Sequence, residues 1–165
     1  QQRSVCMKRV AYCIKTVSLE TRQKAMSDLL NFHFEVDGDD FTSAGQASVQ
    51  VKKNLRQLGL SPEIIKRVSI AMYEGEINMV IHAGGGEADV TVSESEIEIV
   101  LTDHGPGIKN IEQAMQEGFS TAPDNIRSLG FGAGMGLPNM KRYTDSMDIS
   151  SEVGVGTVIT MKVNI

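Results

Sequence analysis

Residues 128–142 read SLGFGAGMGLPNMKR, with Gly130, Gly132, Gly134 and Gly136 at alternate positions ahead of Leu137 and Pro138. Neither a regular helix nor a packed strand suits glycine at that density, because glycine loses the most backbone freedom on folding and has no side chain to bury. The run demands an irregular loop whose backbone bends through positive φ or comes very close to a neighbour. A helix opening at Pro138 would place unpaired N–H groups and the positive end of its dipole directly after the loop, a setting that suits phosphate. No Gly-Lys-Ser/Thr follows and the spacing is not Gly-x-Gly-x-x-Gly, so the run is neither a P-loop nor a dinucleotide fingerprint. By itself it is equally a flexible surface loop.

The rest of the chain reads as strands and helices in an α+β order. Phe32, Phe34 and Val36 alternate with His33 and Glu35 as a short strand. Thr42 or Ser43 can cap a helix with the stripe Ala44, Ala47, Val51, Leu55, Leu58, stopping at Gly59. Ser61-Pro62-Glu63 opens a second helix. Ala88, Val90 and Val92, then Ile97, Ile99 and Leu101, alternate with polar residues around the turn Ser93-Glu94-Ser95, which predicts a hairpin with one wet face. A helix at 138–143 and strands at 147–151 and 157–163 complete the pattern. We expect a two-layer α/β sandwich, a mixed, mostly antiparallel sheet with helices on one face.

Composition narrows the partners. The net charge of −5 argues against a nucleic-acid surface, and no apolar stretch reaches the ~18 residues of a membrane helix. Cys6 and Cys13 belong to no CxxC set, so a disulfide framework or zinc site is not suggested. The chain starts at Gln1 without a charged-then-apolar leader, as expected of a trimmed, cytoplasmic protein. Residues 1–31 carry Arg3, Lys8, Arg9, Lys15, Arg22 and Lys24 against Glu20 and Asp28, a net of +4 that leaves −9 for the rest. That segment, with Val10, Ile14 and Val17 at partial helical spacing, is expected to be a separate unit: a contact helix, an oligomer seam or a linker.

Three elements break their own pattern. The second helix continues its core stripe Ile64, Val68, Ala71 through Gly75, Asn78 and His82, and Glu74, Asn78 and His82 follow one another at four-residue steps, so they project near one another. Solvated polar residues at a helix end are the alternative. Asp103 is the next position in the parity of Ile97, Ile99 and Leu101, which aims a carboxylate inward just before His104-Gly105-Pro106-Gly107. A turn-starting aspartate would look the same. Thr157 shares parity with Ile159, Met161 and Val163. Together these suggest a ligand with two ends: Asp103, with Thr157, accepting from an exocyclic amine such as that of adenine, and Asn78 giving its amide oxygen to Mg2+ among phosphates held by the glycine run. That ligand is magnesium ATP.

The ordered set E74-x-x-x-N78-x-x-x-H82, D103-x-G105-x-G107, G132-x-G134-x-G136 and G156-T157 resembles the boxes of the ATPase fold shared by gyrase, the large heat-shock chaperones, histidine kinases and MutL, the GHKL type. The stretches EQAMQEGFSTAP and LGFGAGMGLPNMKRYTDSMDISSEVGVGT make it most similar to the bacterial serine kinases of partner-switching systems, the anti-sigma-factor and stressosome switch kinases. The likeness spans residues 32–165, which we expect to form the ATP-binding domain. It implies that Asn78 holds Mg2+, Asp103 contacts adenine, Gly107 lies beside the base, Gly132, Gly134 and Gly136 border the phosphates and Thr157 supports the adenine. We count Gly105, Ile108, Ser120, Thr121, Ala133, Met135 and Leu137 as further nucleotide-binding positions, and Arg127 as a γ-phosphate contact, although a lone loop arginine is often just solvated. A histidine autokinase would need a phosphoacceptor helical region before this domain, where only a short segment is read, and gyrase and MutL relatives add a second domain after it, so within the fold a kinase acting on another protein is the expectation.

Residues 109–129 are too long for a simple connection and are expected to form a lid, with Gly118 hinge-like. Glu74 is expected to take the proton of an incoming serine or threonine, as the matching glutamate does in the anti-sigma kinases. The resemblance implies a STAS-domain antagonist as substrate, with a sigma factor or a phosphatase downstream, and a homodimer is left open. The competing expectation is a non-catalytic module in which ATP sets the shape that captures or releases a partner.

Overall fold

The computed structural model describes residues 29–39, 44–128 and 131–165, so the expectations for Cys6, Cys13, the basic segment up to residue 28 and Gly130 lie outside the described residues. Five strands form one sheet in the order β1-β2-β3-β5-β4: β1 (Leu30–Asp37), β2 (Gly85–Val92), β3 (Glu96–Asp103), β4 (Ser146–Glu152) and β5 (Gly156–Asn164). Every pairing is antiparallel, so the expected mixed sheet contains no parallel pair among the described residues. The alternation does what its period requires. Ala88, Val90, Ile97, Ile99, Met161 and Val163 are fully buried on one face, where helices α1 (Gln46–Gln57), α2 (Pro62–Asn78) and α5 (Gly136–Tyr143) cover them.

The other face is polar and mostly acidic. Glu35 lies directly opposite Glu87, and Glu96 and Glu98 share Lys162 at 2.9 and 3.1 Å. His33 meets Asp89 at 2.7 Å, and that hydrogen bond, with the aspartate's charge behind it, holds the imidazole above its ordinary value. Such exposed pairs set local geometry more than stability.

α1 is capped from a distance. Thr42 and Ser43, the expected caps, lie outside the described residues, and the helix starts behind Gly45, whose φ is 94° and which supplies no side-chain bond. Both carboxylate oxygens of Glu76, on α2, take the amide protons of Ala47 and Ser48 at 2.9 and 2.7 Å. Glu76 is only 1% exposed, and it satisfies two otherwise unpaired donors at the positive end of the α1 dipole. Burial nevertheless pushes its pKa up, and the backbone hydrogen bonds only partly oppose this.

α2 carries Pro62 at its first position, and the Ser61 hydroxyl accepts from Ile64 N at 3.4 Å. Val68, Ala71 and Met72 are fully buried. Gly75 is needed because a β-carbon there would run into Leu101 of β3. The expected uninterrupted helix through His82 changes character after Asn78: residues Met79–Ala83 form a π-helical turn that ends on Gly84, φ 73°. Helical turns of this wider kind often sit at functional sites.

Candidate functional site

A cavity of about 730 Å³ opens between the carboxyl half of α2, the turn after β3, the segment after it and the glycine run. Its volume falls in the usual ~300–1,000 Å³ range of small-molecule sites. Glu74 and Asn78, one helical turn apart on α2, stand on its wall with His82 of the π turn beyond them. The Asn78 Nδ2 donates to Met140 Sδ at 3.8 Å, while Glu74 Oε1 accepts from Asn139 Nδ2 at 2.7 Å. Crowding by protein atoms holds His82 below its ordinary value, with the negative charge of Asp103 working in the opposite sense.

Asp103 continues the inward parity of β3 to the cavity's far end. Its Oδ1 accepts from Gly105 N at 2.9 Å and Thr157 N at 3.2 Å, so the carboxylate is clamped by one oxygen. Thr157 is buried, 6% exposed, and its hydroxyl lies 2.9 Å from Ser151 Oγ. Ser151 in turn accepts from Ile108 N at 2.8 Å and donates to the Gly156 carbonyl at 3.1 Å. This serine ties the turn after β3 to the β4–β5 pair, and sequence reasoning missed it. The signal was available: Ser151 extends the inward parity of Met147 and Ile149, the same break that singled out Asp103 and Thr157. Glycine is required in the turn itself, since Gly107 has φ 71° and a β-carbon there would strike the Glu152 carbonyl.

The glycine run folds onto the segment expected to be a lid. That segment holds two short helices, α3 (Ile111–Ala114) and α4 (Asp124–Ser128), rather than an unstructured loop. Gly134, φ 74°, packs its backbone against Gly118 and Phe119, and Gly118 N donates to Gly134 O at 3.0 Å. α5 starts at Gly136 behind Met135, which puts Pro138 third in the helix and not first. A β-carbon on Gly136 would lie 3.0 Å from both terminal atoms of the Asn78 side chain.

Of the residues singled out from the sequence, Glu74, Asn78, Asp103, Gly107, Ile108, Ser120, Thr121, Gly132, Ala133, Gly134, Met135, Gly136, Leu137 and Thr157 line this one cavity. Gly105 does not; it passes so close to Ala83 that a β-carbon would lie 2.6 Å from it. Arg127 is also off the wall. Its Nε donates to Ala122 O at 2.9 Å and its Nη2 to Ser120 O at 3.0 Å, so the guanidinium expected to meet the γ-phosphate braces the backbone of residues 120–122 in this structure. Glu76 and Asn139 were also unread as partners, since each acts on an element remote in sequence.

Comparison with known proteins identifies the family of the chain. Residues 39–163 match the family model described as the histidine kinase-like ATPase domain. The chain belongs to the histidine kinase-like ATPase family. Within this family it is 33% identical over 122 residues to the anti-sigma F factor of Clostridium beijerinckii, covering 70% of this chain and 82% of that protein. It is 31% identical over 118 residues to the serine/threonine-protein kinase RsbT of Bacillus subtilis, covering 68% and 83%. Among solved structures, the RsbU and RsbW domains of a Mycobacterium tuberculosis protein share its fold with a TM-score of 0.56 at 16% identity, over 81% of this chain and 32% of that one. Among the described residues, no helix of this family member is long and apolar enough to cross a membrane.

Proposed function

We propose that the chain is an ATP-dependent protein serine/threonine kinase of a partner-switching system, phosphorylating a STAS-domain antagonist and so controlling a sigma factor or a phosphatase downstream. The observation that carries this reading is the placement of Glu74 and Asn78 on one wall, against the glycine run, with Asp103 fixed at the other end. The names of the anti-sigma F factor and RsbT relatives support the same class.

The residues fit a magnesium nucleotide. Asp103 has one oxygen held by two backbone amides, which leaves the other to accept from a purine amine. Thr157 and Ile108 are held around that position through Ser151. Among the described residues no group of three His, Cys, Asp or Glu side chains gathers as a metal cage. Asn78 would supply a single amide oxygen, in keeping with an ion that takes few protein ligands. The missing β-carbon at Gly136 lets the phosphate loop approach that side chain.

Bound magnesium ATP supplies the phosphoryl group and the cation that spreads its charge. Glu74, one turn before Asn78, accepts the hydroxyl proton of the incoming serine or threonine. The lid of residues 109–128, braced by Arg127, excludes water from the site.

Incubation of the full chain with γ-labelled ATP and candidate STAS-domain proteins tests the reading. Label is expected on a serine or threonine of one of them, and Glu74→Gln is expected to abolish transfer while nucleotide affinity stays within about twofold. Nucleotide binding without any transfer would make the chain a binding module instead, and undiminished transfer in Glu74→Gln would remove that residue from the chemistry.

A further inference from the structure

The proposed reaction gives Asn139 no part, yet it makes the only hydrogen bond of the Glu74 side chain among the described residues, Nδ2 to Oε1 at 2.7 Å. Both partners are half-buried, Glu74 on the cavity wall and Asn139 next in sequence to the lining residue Pro138. The two residues come from helices distant in sequence, α2 and α5, which pack against each other along a short seam. One rung of that seam is Gly136 against Asn78 and the next is Asn139 against Glu74, so the spacing of one helical turn on α5 matches one turn on α2. Met140, fully buried between the rungs, takes the Asn78 Nδ2 on its sulfur and lies under Gly75.

We propose that Asn139 is a positioning residue that fixes the Glu74 carboxylate for proton transfer and ties its placement to the glycine run. This rests on the reading of Glu74 as the base. A glutamate side chain has three rotatable bonds, and a base must sit within hydrogen-bond reach of the proton it takes. The amide group of Asn139 donates from a short side chain whose helix is anchored by Met140, so it selects one arrangement of the carboxylate. Oε1 is thereby occupied, and Oε2 is the oxygen left to face the substrate hydroxyl. Because α5 begins where the glycine run ends, a shift of that run moves Asn139 and, through it, the base. Neighbouring charges do not do this work: Arg142 is paired with Glu117 and Arg67 with Asp145.

The test compares Asn139→Ala, Glu74→Gln and the double variant in the full chain, using a STAS-domain acceptor labelled by the wild type. Asn139→Ala is expected to slow transfer roughly ten- to hundredfold at saturating ATP, the usual cost of a mis-set reacting group, with ATP affinity within about twofold. The double variant is expected to be no slower than Glu74→Gln, because both changes remove one unit. A wild-type rate in Asn139→Ala, a parallel loss of ATP affinity, or additive losses would each overturn the proposal. Independent of activity, one side-chain amide proton of Asn139 is expected downfield of free asparagine amides by NMR and to return in Glu74→Ala; an amide signal indifferent to that change would also overturn it. Transfer that survives Glu74→Gln sinks the base assignment, and this role with it, whereas loss in Glu74→Gln with full activity in Asn139→Ala sinks the positioning role alone.

Discussion

Ser151 and Thr157 face each other across the β4–β5 pair with their hydroxyl oxygens 2.9 Å apart, and from that pair Ser151 reaches the amide of Ile108 at 2.8 Å. Ser151→Ala leaves a buried hydroxyl and a backbone N–H short of a partner at the end of the cavity where Asp103 sits. We expect nucleotide affinity to fall about three- to tenfold, in line with ~1 kcal/mol for a lost hydrogen bond. Calorimetry with a non-hydrolysable ATP analogue and magnesium reads this, and an unchanged affinity would show that the serine holds strands only.

Asp103→Asn preserves shape and one acceptor oxygen, but replaces the other oxygen by an amide that donates. If the carboxylate accepts from the purine amine, ATP affinity should drop at least about tenfold, since a hydrogen bond to a charged group is worth ~1.5–3 kcal/mol. Circular dichroism should stay native. Equal ATP binding by the wild type and the variant would contradict the adenine assignment.

Glu76 makes stability depend on pH in a defined sense. Its folded pKa is raised above an ordinary value of 4.5, chiefly by burial. The stabilisation from this group is therefore complete below the unfolded value and is lost as pH rises through the folded one. Glu76→Gln leaves one oxygen for two amide protons and is expected to cost ~1–3 kcal/mol at low pH, with the gap to wild type narrowing as pH rises. Urea titrations across that window measure it, and a constant gap would contradict the burial argument.

Two glycines at positive φ should respond differently to alanine. Gly107, φ 71°, has the Glu152 carbonyl where a β-carbon would go, whereas Gly118, φ 84°, has open space. Gly118→Ala is expected to cost ~1 kcal/mol, the strain of the left-handed conformation. Gly107→Ala should cost several times that and reduce nucleotide binding as the turn shifts. Thermal melts separate them, and similar melting temperatures would refute the contact.

The imidazole of His33 should titrate above 6.5 and fall back when Asp89→Asn removes the charged acceptor. Histidine proton shifts followed by NMR across neutral pH measure it. No change on substitution would mean the pair is not formed in solution.

Much of the fold was legible because it rests on period. Alternation marked β2, β3 and β5, the 3.6-residue stripe marked α1 and α2, and Ser61-Pro62 marked where α2 begins. The breaks in those periods carried much of the site: Asp103, Asn78 and Thr157 stood out because a polar residue occupied a position whose parity points to the core. The backbone partners of Arg127 were not legible for a related reason, since charge alone says nothing about which carbonyls a flexible guanidinium will find.

The sequence by itself determined which side of each strand and helix is buried and which polar residues are turned inward, because side-chain direction follows from local backbone repeat. Only the tertiary structure decided who meets them: Glu76 at the start of α1, Ser151 beside Thr157, Asn139 on Glu74. Those contacts join residues 6 to 65 positions apart. They depend on the docking of whole elements, where a few ångströms of shift make or break a hydrogen bond that no local pattern encodes.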